Sequence, residues 1–141
     1  MSGKSNEIHD ELFFEVNYHA AYEPMRAVRT RRWKYIRRFD GRSTPVLVNC
    51  DDGESKSLWL EQGWRDQRIP EEMLYDLIFD PNESNNLAVD PAPKSVLEDM
   101  RGRLERWMKE TGDPLRDGPI PLPDGAIVND VNDVSVSRKS I

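Results

Sequence analysis

Cysteine is nearly absent: the 141-residue chain has one, Cys50. It can form no disulfide within the chain, and a cysteine cluster for a metal is excluded. Histidine is almost as scarce, and His9 and His19 are too few for a zinc site built by this chain alone. No apolar run approaches the roughly eighteen residues of a membrane-spanning helix. The opening Met1-Ser2-Gly3-Lys4-Ser5-Asn6-Glu7 lacks the apolar centre of a signal peptide, so the compartment is unknown. Catalytic patterns are missing too: there is no glycine-rich phosphate loop, no Gly-x-Ser-x-Gly elbow and no His-Glu-x-x-His. Taken by itself, the chain does not look catalytic.

What is present suits a soluble, loop-rich single domain with tails, since 37% of residues are hydrophobic, 33% are charged and ten are proline. The net charge of -6 hides a division. Between residues 26 and 42 there are eight basic residues against one acid, so that window carries +7 and the remainder -13. Such a field attracts anions. The plainer reading is a ribbon whose arginines pair with acids elsewhere in the fold.

Alternating apolar and polar residues predict strands over 11–18, 25–30, 33–39 and 73–79, with Pro24 just before the second because it cannot donate a ladder hydrogen bond. On the first, Phe14, Val16 and Tyr18 are expected to face a core, while Glu15, Asn17 and His19 point the other way, next to Phe13. The third places Trp33, Tyr35, Arg37 and Phe39 on one face. The fourth is apolar on nearly both sides and should be covered on both. A short helix is expected over 55–62, stopped by Gly63, with Asp51 and Asp52 capping it rather than binding a metal. One long helix, over 93–110, has Val96, Leu97, Met100, Leu104, Trp107 and Met108 in a single stripe, with Gly112 as its left-handed cap. The fold class is α+β: a small antiparallel sheet of about four strands packed by one long C-terminal helix, with a loop-rich insert. Residues 1–10 read as linker or disorder, 11–115 as the subdomain, and 116–141 as a proline-rich extended segment with a disordered tail from 131.

Glu15 and His19 are about 13 Å apart if extended, at roughly 3.3 Å per residue, too far for a direct acid-base dyad. Both could still reach one extended ligand.

Four stretches resemble the C-terminal region of the sulfatase family, nearest to the sulfamidase-like enzymes that act on N-sulfated glucosamine. They are Glu15-Val16-Asn17-Tyr18-His19-Ala20-Ala21-Tyr22-Glu23-Pro24-Met25-Arg26, then Trp33-Lys34-Tyr35-Ile36, then Asp80-Pro81-Asn82-Glu83-Ser84-Asn85-Asn86 with the strand before it, and Trp107-Met108-Lys109-Glu110-Thr111-Gly112-Asp113-Pro114. The resemblance implies a small sheet and helix docked on a larger catalytic domain. That domain would hold a calcium ion and the Cys-x-Pro-Ser-Arg cysteine that becomes formylglycine. Cys50, followed by Asp51-Asp52-Gly53, cannot be that nucleophile. By resemblance Glu15 and His19 lie at the mouth of the pocket and contact a sulfated sugar, with Arg26 offering a bidentate anion contact. The chain is then a fragment, a truncated product or one piece of a split enzyme. Its partner is the catalytic domain, and its docking surface should be an exposed apolar patch. The rival reading is a non-catalytic polyanion binder using the basic ribbon, with nucleic acid disfavoured by the acidic remainder. A third is a structural module of a larger assembly.

Overall fold

The alternating segments pair in chain order to form a four-stranded antiparallel meander, β1 (Leu12–Tyr18), β2 (Tyr22–Arg29), β3 (Trp33–Arg38) and β4 (Glu72–Asp76). Two helices complete the α+β fold, α1 (Glu54–Glu61) in the long β3–β4 connection and α2 (Lys94–Glu110) after β4. The computed structural model describes residues 11–89 and 93–136; the expected disorder over 1–10 and 137–141 lies outside them.

The register places Phe13, Val28, Tyr35 and Leu74 side by side across all four strands. The stripe of α2, with Leu97, Met100, Leu104 and Met108 buried, lies on that row. Phe13 stacks on Trp107 with ring centroids 4.9 Å apart. This reverses the expected facing of β1. Leu12, Phe14 and Val16 are 53%, 48% and 43% exposed on the face away from α2. The apolar row of the strand is the one left uncovered, and the Phe13–Trp107 stack turns the face shared with Glu15 and Asn17 toward α2.

β2 begins at Tyr22 and includes Pro24. The register of β1 slips between Val16 and Tyr18, and Pro24 accepts through its carbonyl from the Phe39 amide at 3.0 Å, so its missing donor is not needed. β4 ends at Asp76 rather than running to residue 79. The Asp76 carboxylate accepts from the amides of Ile78 and Phe79 and turns the chain. Those two side chains are 62% and 78% exposed, so cover on both faces does not extend past the strand.

Helix α1 is not capped by Asp51 or Asp52. Its N-cap is Gly53, with no side-chain bond. Asp52 accepts instead from Nζ of Lys56, a buried lysine that also donates to the carbonyls of Cys50 and Val134. The segment from 131, expected to be disordered, is therefore ordered to Val136: Val131 packs on Ala21, Val46 and Val48 in a second small core.

Helix α2 ends in a Schellman motif. The Asp113 amide donates to Met108 O and the Gly112 amide to Lys109 O, with Gly112 at φ 66°. Gly102, in contrast, sits inside α2 at an ordinary φ, and a Cβ there would meet nothing within 4 Å. Gly102→Ala should therefore stabilise the chain by about 0.5–1 kcal/mol through helix propensity alone. An unchanged or lowered urea midpoint would show that the site resists a side chain.

Candidate functional site

The site expected from sequence lies on the β1–β2 hairpin. Glu15 and His19 are both exposed there. The turn that joins β1 to β2 is held by its own His19 amide to Ala21 carbonyl bond of 3.1 Å and by three outside braces. Asn49 accepts from the Ala21 amide at 2.8 Å and donates to Glu23. The Asn129 amide donates to Ala20 O at 2.8 Å. Tyr18 and Tyr22, rings 4.8 Å apart, clasp the backbone of Ile120: the Tyr18 hydroxyl donates to its carbonyl and the Tyr22 hydroxyl accepts from its amide. Partial burial beside Tyr22 pushes the Tyr18 hydroxyl pKa upward, so it remains a donor at neutral pH. The hairpin is thus a fixed platform. Asn49, Tyr18 and Tyr22 carry no motif, and only the fold brings them to it.

Arg26 differs from its expected role. It is fully buried, and the bidentate carboxylate it holds is the chain's own Asp113, at 2.6 and 3.1 Å. Its remaining donors reach the carbonyls of Val16 and Met25. Burial alone would raise the Asp113 pKa, but hydrogen bonds from Arg26 and the Leu115 amide outweigh it and hold the carboxyl below its usual range. Glu15, 60% exposed, lies 3.8 Å from the same guanidinium. Arg26 therefore anchors β2 to the end of α2 beneath Glu15.

The basic ribbon is largely consumed in the same way. Arg32 pairs with Asp76 at 2.9 Å, Lys34 with Glu83 at 2.7 Å and Arg38 with Asp40 at 3.1 Å. Arg42 donates to Asn132 and Thr44. The hydrogen bond from Arg32 comes first among the causes that lower the Asp76 pKa. On the inner face, burial and a hydrogen bond to Glu72 keep the Tyr35 hydroxyl protonated, while Arg101 keeps Glu72 ionised.

Among the described residues no group of three or more His, Cys, Asp or Glu could hold a metal. Asp52 is spent on Lys56. Among the described residues none fits the calcium ion that the resemblance implies. Among the same residues no helix is long and apolar enough to cross a membrane.

No protein-family model matches the chain. Curated proteins and solved structures do. An ulvan-active sulfatase of Formosa agariphila is 37% identical over 101 residues, which are 71% of this chain and 20% of that protein. The chain is related to the sulfatases. A human N-sulphoglucosamine sulphohydrolase is 43% identical over 54 residues, 38% of this chain and 10% of that protein. A solved 2-O GAG sulfatase superposes with a TM-score of 0.53 at 25% identity, covering 77% of this chain and 18% of that one. The sulfatase-related chain thus spans about a fifth of the length of the first curated relatives it matches.

Proposed function

We propose that the chain is the C-terminal subdomain of a sulfatase, a sulfuric ester or sulfamate hydrolase acting on a sulfated sugar. It would complete the substrate pocket with Glu15 and His19 and be silent without a catalytic domain. The observation that carries this reading is the uncovered apolar face of β1. Leu12, Phe14 and Val16 stand in solvent on a sheet whose opposite face is packed by α2; Glu15 lies on the α2 side at the sheet edge, and His19 follows the end of the strand. A face of this kind fits a larger neighbour better than water. Glu15 and His19 would then bind sugar hydroxyls and anionic groups, while calcium and formylglycine would belong to the neighbour. The rival polyanion reading loses support because most cations of the ribbon have partners of their own.

The test is a fusion in which this chain replaces the matched segment of the Formosa agariphila sulfatase. It should fold and release sulfate, and Glu15→Gln or His19→Ala should each lower kcat/KM by about tenfold, or about 1.4 kcal/mol. The isolated chain, supplied with calcium, should release none from a sulfated sugar or an aryl sulfate. Sulfate release by the isolated chain, or an active fusion indifferent to both substitutions, would sink the proposal.

A further inference from the structure

The groove between α2 and the end of β3 has a charge pattern that neither the fold nor the hairpin site uses. Its volume is about 640 Å³, and Arg37, Arg106, Lys109 and Arg116 line it against the single carboxylate of Glu105, over a floor that includes Phe39 and Leu115. Arg106, Lys109 and Arg116 are exposed and make no ion pair among the described residues. Arg37 is only loosely engaged, 3.7 Å from Glu71 and 4.0 Å from Glu105. Its Nε is buried with no hydrogen-bond partner. Exposed like charges brought this close raise the energy of the free chain unless an anion sits among them.

Gly102 is the second observation. It lines this groove, yet no neighbour lies within 4 Å of where its Cβ would be, so the chain's own packing does not demand a glycine there. A side chain at that position would stand in the groove, and its absence keeps the floor open.

We propose that this groove binds an anionic oligosaccharide, with the four cations taking its sulfate or carboxylate groups. The choice of a sugar rests on the sulfatase reading; the anion chemistry does not. Nucleic acid fits less well, because binding of single strands needs free aromatic faces for the bases. The one aromatic ring lining the groove, Phe39, is already covered by the Arg37 guanidinium, 4.8 Å from its centroid. The groove is distinct from the hairpin site. Glu15, Arg26 and Arg37 are consecutive in the register of β1, β2 and β3, so Glu15 and Arg37 lie roughly 10 Å apart at about 4.8 Å per strand. The buried Arg26–Asp113 pair stands between them.

The experiment is calorimetric titration of the full chain with a heparin-derived hexasaccharide at about 50 and about 200 mM salt, beside an oligothymidylate of equal charge. Binding should weaken at the higher salt. Arg106→Ala with Lys109→Ala should weaken it tenfold or more, whereas Arg29→Ala with Arg31→Ala, which removes two exposed cations elsewhere on the ribbon, should change it less than twofold. Thermal melts of these surface variants should stay at the wild-type value, so a loss is not unfolding. No binding at low salt, an equal loss in the Arg29/Arg31 variant, or oligothymidylate binding as tight as the hexasaccharide would overturn the groove. Loss of hexasaccharide binding in Glu15→Gln or His19→Ala but not in the groove variant would also overturn it, while leaving the hairpin reading intact.

Discussion

Replacing Asp113 with alanine should destabilise the chain by about 3–5 kcal/mol, the usual result of removing one partner from a buried ion pair. The size follows from what is left behind. Arg26 is 1% exposed, so its guanidinium would keep its charge with no hydrogen-bonded carboxylate at Nε and Nη2, the nearest one left being that of Glu15 at 3.8 Å. Asp113 also accepts from the Leu115 amide, so the short helical turn after α2 loses its cap as well. Against a total stability of about 5–15 kcal/mol for an ordinary domain, this is a large share. Urea unfolding should show a lower midpoint with an unchanged slope. Acid provides the second arm. Asp113 has a folded pKa below its unfolded value of about 3.9, so its contribution is complete above that value and is lost as pH falls through the folded pKa. The gap between wild type and variant should be flat near neutrality and close below about pH 4. Glu72 and Asp76 are also held low, but they are common to both proteins and cancel in the difference. A gap that persists unchanged in strong acid would show that the carboxylate charge is not what matters.

Truncating Leu104 to alanine should cost about 2–5 kcal/mol, the range for a cavity in a packed core. Leu104 is 1% exposed and belongs to the cluster that joins α2 to Val28, Tyr35 and Leu74. The informative comparison is Phe14→Ser. Although phenylalanine is the larger side chain, Phe14 is 48% exposed on the uncovered face, so its loss should stay within about 0.5 kcal/mol in the isolated chain. Equal losses at the two positions, measured by urea unfolding, would mean that the β1 face is packed in solution, and the docking argument would fail with it.

Much of this fold could be read from local pattern. Four alternating segments mark the meander, the stripe from Val96 to Met108 marks the helix face that meets the sheet, and Gly112 marks its end. These signals are short in range because each depends only on backbone period and the φ that glycine permits. What could not be read depends on pairings distant in sequence. Arg26 meets Asp113 across 87 positions and Asn49 meets Ala21 across 28, and no residue type announces either. The facing of β1 failed for a related reason: alternation marks Leu12, Phe14 and Val16 as the apolar row, but a tryptophan 94 residues away from Phe13 turns the other face to the helix. For the site, Glu15 and His19 are exposed where a ligand could reach them, whereas Arg26, of the same polar character, is internal. A cation's neighbours, not its identity, decide whether it meets a ligand.

Lys56 sets an order on synthesis. Its ammonium is enclosed by acceptors that include the carbonyl of Val134, 78 positions later. While the nascent chain is still on the ribosome, that lysine has Asp52 and the Cys50 carbonyl beside it, but its third donor keeps water until Val134 emerges, so the enclosure of the β3–β4 connection is completed last. The sheet meanwhile waits for α2, so the row of Val28, Tyr35 and Leu74 stays in water until residues 94–110 have been made.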